Sequence, residues 1–126
     1  MKKVAELISL KGSAALITGA TGNIGQEVAL TIAELGGNLI LVDRPGSNYD
    51  QIRENVLDNW NVNVECIDCD LENHNSRINL IEEIVKNNVN LDILINNAAF
   101  VGESNLEGWV EDFDKQSLET WNRALE

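Results

Sequence analysis

Between Ala14 and Gly25 the chain runs from an unbroken apolar segment, Ala14–Thr18, through glycines at Gly19, Gly22 and Gly25 into residues with helical spacing. No other stretch limits the fold as much. An apolar run without polar alternation suits a strand covered on both faces, as in a parallel sheet, and parallel strands need a crossover, usually a helix. The spacing predicts a strand over Ala14–Thr18 and a helix from about Ile24 to Leu35, with Ile24, Val28, Ile32 and Leu35 as its apolar stripe. Gly36 and Gly37 would end that helix, one of them as a left-handed cap.

The same alternation continues. Asn38–Asp43 is a second continuous apolar strand, and Arg44–Ser47 a loop. Ser47 with Asp50 would start a helix to about Asn59. A third strand is expected over Val62–Asp70. A helix capped by Asn73 or Asn75 would then run through Asn87, with Ile78, Ile81, Ile84 and Val85 facing inward. A fourth strand is expected over Leu91–Ala99, an acidic irregular segment from Phe100 to Gln116, and a last helix opened by Ser117. Strand alternating with helix implies a single α/β domain with a doubly wound parallel sheet, and right-handed crossovers give the strand order 3-2-1-4.

Composition narrows the partners. A formal net charge of −12 over 126 residues argues against nucleic acid or an anionic membrane surface, both of which need a basic face. The N-terminal Met1–Lys11 does not fit an export signal, because Glu6 and Lys11 interrupt its apolar run, and no stretch is long enough to span a bilayer. A cytoplasmic location is the expectation. Cys66 and Cys69 form a C-x-x-C, but on a strand three residues cover about 10 Å with the side chains on opposite faces. Two independent thiols are therefore expected rather than a disulfide or a metal site. No metal-ligand cluster stands out, and His74 is expected to be solvated at a helix start.

The glycine turn carries the first chemistry. Glycines let a ligand approach the backbone closely, and the free N–H groups and dipole of a helix start favour an anion. The spacing is G-x-x-G-x-x-G rather than the strict dinucleotide pattern, and a tight turn without a ligand is the alternative. Asp43 ends the second strand 18 residues after Gly25, where a carboxylate can accept from the ribose hydroxyls of NAD and repel the 2′-phosphate of NADP. Arg44 could hold such a phosphate or be a solvated loop residue. Asp70 and Leu71 stand where an adenine ring would pass, or are ordinary strand-end residues. Asn97, Ala98 and Ala99 lie beside the point where the strand order reverses; there small side chains leave room and an asparagine amide can tie neighbouring backbone. A strand-end turn is the alternative.

Thr18-Gly-x-x-Gly-x-x-Gly25, Asp43, Asp70-Leu71 and Asn96-Asn-Ala-Ala99, in this order and spacing, resemble the short-chain dehydrogenase/reductase family over nearly the whole chain. Glu119–Leu125 resembles the segment just ahead of that family's structural asparagine. The stretch Asn96–Gly102 through Leu106–Trp109 further resembles bacterial flagellin-modification or surface-sugar oxidoreductases. The resemblance implies a Rossmann-like fold and an NAD(P) site built from Gly19, Thr21, Gly22, Asn23, Ile24, Gly25, Asp43, Arg44, Asp70, Leu71, Asn97, Ala98 and Ala99. It also implies a small-molecule alcohol or ketone substrate, with a sugar among the candidates, and a homo-oligomer.

Two departures stand out. Asn23 holds a position that is glycine in the short members, with Gly22 one residue early; an asparagine tolerates unusual backbone angles. The family's Tyr-x-x-x-Lys pair, which moves the substrate proton, has no counterpart. The only tyrosine, Tyr49, follows the second strand, with Arg53 four residues on, and is expected at the surface or as a helix cap. No catalytic residue is assigned. The expectation is an NAD-using oxidoreductase represented by its cofactor-binding half, truncated before the catalytic half and inactive alone. A non-catalytic nucleotide-binding module and an inert structural fragment are the alternatives. Trp121 is expected in the core, with a subunit interface as the alternative, and the fourth strand, an apolar sheet edge, is expected to favour self-association.

Overall fold

The computed structural model describes residues 7–87, 90–99 and 112–125. Strand β1 (Ala14–Thr18) leads into helix α1 (Asn23–Glu34), then β2 (Asn38–Asp43), α2 (Asp50–Asn59), β3 (Val64–Asp68), α3 (His74–Lys86) and β4 (Ile93–Ile95). A 3-10 turn (Phe113–Lys115) and helix α4 (Leu118–Leu125) follow. The four strands are all parallel, in the order β3-β2-β1-β4, as the alternating pattern requires. Residues 100–111, the larger part of the expected irregular segment, lie outside the described residues, as does most of the stretch bearing the sugar-oxidoreductase likeness.

Alternation along the strands divides the core in two. Ile17, Leu39 and Leu41 face α1 and α2, packing with Ala29, Ala33, Ile52 and Val56. Leu16, Ile40, Val42 and Ile67 face the other way and pack with Cys69 and Leu80 below α3. β1 and the centre of β2 are buried on both faces, which is why they appear as continuous apolar runs. Cys66 and Cys69 are free thiols, Cys66 packed against the first cluster and Cys69 within the second.

Both helix stripes differ from expectation. On α1 the buried line is Gly25, Ala29 and Ala33, small residues that let the helix axis approach the sheet. Val28 and Ile32 only flank it, and Ile24 is 71% exposed. On α3 the sheet takes Leu80, with Ile84 beside it, whereas Ile78, Ile81 and Val85 are exposed. At about 100° per residue the apolar residues of α3 cover an arc of about 160°, and only one edge of that arc meets the sheet.

Several boundaries are shorter than the hydropathy suggests. β3 starts at Val64 rather than Val62, and β4 covers only Ile93–Ile95 of the expected Leu91–Ala99. α1 closes as expected, with Gly36 at φ +87° and the N–H groups of Gly36 and Gly37 donating to Ala33 and Ile32. α2 starts at Asp50 behind Tyr49, which makes no side-chain cap, so the expected Ser47 cap does not form. Asn73 caps α3 by accepting from the Ser76 N–H. Ser117 opens α4 as expected, its hydroxyl accepting from the Thr120 N–H. Trp121 is 43% exposed rather than core, its indole N–H donating to Gln116.

Candidate functional site

In a parallel sheet all strands end on the same side, so the residues that follow β1, β2, β3 and β4 gather at one rim. The glycine turn, Asp43, Asp70-Leu71 and Asn97–Ala99 all fall there. What fixes them is a set of side-chain hydrogen bonds to the backbone.

The turn after β1 is bound on two sides. Toward β2, the Asp43 carboxylate accepts from the Thr21 N–H at 2.9 Å and from the Thr21 hydroxyl at 2.7 Å, both on Oδ2, while Oδ1 accepts from the Arg44 N–H at 2.8 Å. Toward β4, the Asn97 side-chain amide donates to the carbonyls of Thr18 and Gly19 at 3.0 and 3.1 Å. The Thr18 hydroxyl completes that side, accepting from the N–H groups of Asn97 and Ala98 at 3.1 Å each. Those two N–H groups are thereby drawn off the β1–β4 ladder, which accounts for the early end of β4. From within α1, Gln26 Nε2 donates to the Thr21 carbonyl at 2.7 Å.

Two glycines are required by space. Gly19 has φ +64°, and a Cβ there would lie 2.9 Å from the Ala98 Cα; a Cβ on Gly25 would lie 2.2 Å from the Gly19 carbonyl oxygen and 2.8 Å from the Ala20 Cα. Gly22, the N-cap of α1, is ordinary extended backbone. Asn23 is the first residue of the helix itself, a conformation open to any residue. Moving a glycine from that position therefore leaves the turn intact without any appeal to unusual asparagine angles.

The start of α1 has no side-chain cap, unlike α3, and no acidic residue in its first turn. Its leading N–H groups have no carbonyl four residues back to meet, and they open onto a turn with no Cβ at Gly19, Gly22 or Gly25. That is the cradle an anionic diphosphate needs, so these residues fit a dinucleotide. Asp43 fits as well. Burial works to raise its pKa, but the bonds from Thr21, Arg44 and Ser47 outweigh it and hold the carboxyl below its ordinary value, ionised at neutral pH.

The other expected site residues are placed more loosely. Arg44, Ala98, Ala99 and Ile24 are exposed at the rim. The Asp70 carboxylate accepts from the Glu72 N–H, and Leu71 packs against the α3-side core. Neither Asp70 nor Leu71 has a described contact with the glycine turn. Thr18 and Gln26 were missed by sequence reasoning. Thr18 had a signal, being the only polar residue in an apolar strand; Gln26 had none.

Tyr49 holds the N-cap position of α2, one of the two places expected for it, and is half-buried rather than at the surface. Its hydroxyl donates to the Ile67 carbonyl at 3.0 Å, and burial, helped by the nearby negative charge of Asp68 and Asp43, pushes its pKa well above the ordinary phenol value. An open hollow of about 640 Å³ lies beside it, lined among others by Arg53, Glu65 and Cys66. It sits against β3, two strands from β1, and reaches the rim through Ser47 and Asn48 in the loop after β2. Among the described residues no group of three His, Cys, Asp or Glu side chains could hold a metal ion, and no helix is long and apolar enough to cross a membrane.

Known proteins are similar to this chain in sequence and in fold. A 3-oxoacyl-(acyl-carrier-protein) reductase of Rickettsia felis is 36% identical over 113 residues, covering 86% of this chain and 42% of the relative. The NADPH-dependent 3-quinuclidinone reductase of Rhodotorula rubra superposes with a TM-score of 0.79 at 30% identity, over 98% of this chain and 44% of that one. A short-chain type dehydrogenase/reductase of Mycobacterium marinum gives 0.82 at 25% identity, over 97% and 45%. The chain thus spans under half the length of each of these proteins. The short chain dehydrogenase family profile matches residues 13–126, and with the parallel 3-2-1-4 sheet and its glycine turn the chain belongs to that family.

Proposed function

We propose that this chain is the dinucleotide-binding portion of an oxidoreductase that interconverts a secondary alcohol and a ketone, with NAD as its cofactor. The observation that carries the proposal is the Asp43 carboxylate, ionised at the end of β2 and hydrogen-bonded to the turn that would cradle the diphosphate. When bound, the nicotinamide supplies or accepts the hydride. The protein's part is to hold and orient. The α1 N-terminus and the turn over Gly19–Gly25 take the diphosphate, Asp43 accepts from the adenosine ribose, and Asn97 keeps the turn against β4. Asp70 and Leu71 would border the adenine.

The Rhodotorula rubra neighbour is NADPH-dependent by name; Asp43 is our reason for assigning this chain differently. Two like charges about 4 Å apart near a protein surface repel by about 4 kcal/mol, so a 2′-phosphate beside Asp43 is disfavoured. Calorimetric titration of the chain checks this: NAD should bind and NADP should bind at least tenfold more weakly, and Asp43→Asn should narrow the gap. Equal affinity for the two would refute the assignment to NAD. Absence of binding by either at millimolar concentration would refute the site.

A second reading, a binding module without catalysis, is favoured by Tyr49. The only tyrosine of the chain spends its hydroxyl on Ile67. We therefore expect the 126-residue chain alone to bind dinucleotide without reducing ketones.

A further inference from the structure

A carboxylate offers about four lone-pair positions, two on each oxygen. In Asp43 both positions of Oδ2 are taken by Thr21, through its N–H and its hydroxyl, and one position of Oδ1 by the Arg44 N–H. A ribose that presents two adjacent hydroxyls to this carboxylate needs a free position on each oxygen, and Oδ2 has none.

The two donors on Oδ2 are not equally movable. The Thr21 N–H belongs to a backbone held from the other side as well, because the Thr21 carbonyl accepts from Gln26 at 2.7 Å. The hydroxyl hangs on one rotatable bond. Turning it away frees one position without moving the turn.

We infer that the Thr21 hydroxyl is a built-in competitor for the ribose acceptor: it holds the place of a ribose hydroxyl on Asp43 and has to turn off before the adenosine half of a dinucleotide docks. The inference rests on the dinucleotide reading above. Thr21 is then an affinity-setting residue whose present contact opposes binding. Its hydroxyl satisfies a half-buried carboxylate in the free site, and each docking event has to replace that charge-assisted bond.

Thr21→Val removes the hydroxyl and keeps the shape, and Thr21→Ala removes it without a second branch. The test compares the wild-type chain with both variants by calorimetric titration against ADP and against 2′,3′-dideoxy-ADP, which lacks the ribose hydroxyls. One charge-assisted hydrogen bond corresponds to about a tenfold change in affinity. Both variants should bind ADP about tenfold more tightly than wild type and bind the dideoxy analogue within twofold of wild type. If wild type binds ADP and the variants bind it equally or more weakly, the hydroxyl aids binding and the inference is overturned. A gain of the same size for the dideoxy analogue also overturns it, since the ribose would not be the competitor. If no form binds ADP at millimolar concentration while circular dichroism shows the fold intact, the dinucleotide reading itself falls and takes this inference with it. If neither variant folds, the hydroxyl is a folding requirement rather than a competitor.

Discussion

Asp43 couples acid sensitivity to the architecture of the turn. Its folded pKa lies below the ordinary value of 3.8, so the stability it contributes is present above that value and lost as pH falls through its lowered folded pKa. Urea midpoints of wild type and Asp43→Asn measured from pH 7 to pH 2.5 should be furthest apart at neutral pH and converge below about pH 4. Parallel curves across that range would show that the carboxylate is not held by Thr21 and Arg44. Gly19, Asp43 and Asn97 were visible in the sequence because each sits at the end of an apolar run, a position that topology alone marks. Thr21's bond to Asp43 was not visible, because it joins residues 22 apart through a rotamer that no local pattern specifies.

At the level of elements, β4 is fastened at both ends by side chains. Asp92 accepts from the Ala14 N–H at 3.0 Å, and its own N–H donates to the Ala14 carbonyl; at the far end Thr18 and Asn97 close the pairing. Ala14 is buried, so removing its partner leaves a buried donor unmet at a cost of about 1–3 kcal/mol. Asp92→Ala should lower the unfolding free energy read from urea titration by that amount and speed amide exchange at Ala14, and Asp92→Asn, which keeps an acceptor, should recover most of both. The bounds of β1 and β2 were legible because burial on both faces leaves an unbroken apolar run. Those of β3 and β4 were overextended, since hydropathy continues where the ladder stops. The faces of α1 and α3 were misread for related reasons. Gly25, Ala29 and Ala33 make a close-packed line that carries little hydropathy. The apolar arc of α3 is wider than the sheet it meets, so periodicity alone does not show which edge is covered.

For the molecule as a whole, one group of exposed apolar side chains lies on the α3 side of the sheet and at its β4 edge. Leu94, opposite Leu16 in the β1–β4 register, is 58% exposed, and Ile78, Ile81 and Val85 are exposed on α3. Among the described residues β4 pairs only with β1, and an open apolar strand edge is a template for association. The 13.9 kDa chain should sediment above its monomer mass at tens of micromolar, and Leu94→Lys should return it toward monomer with little change in stability. A wild type that is monomeric at these concentrations would remove this expectation. The other end of the sheet carries a different consequence. Tyr49 anchors β3 by its phenol, and the chain has no second tyrosine, so ultraviolet absorbance offers a native optical gauge of that margin. Phenolate absorbance should stay silent as alkali passes pH 10 and emerge only when the outer strand detaches.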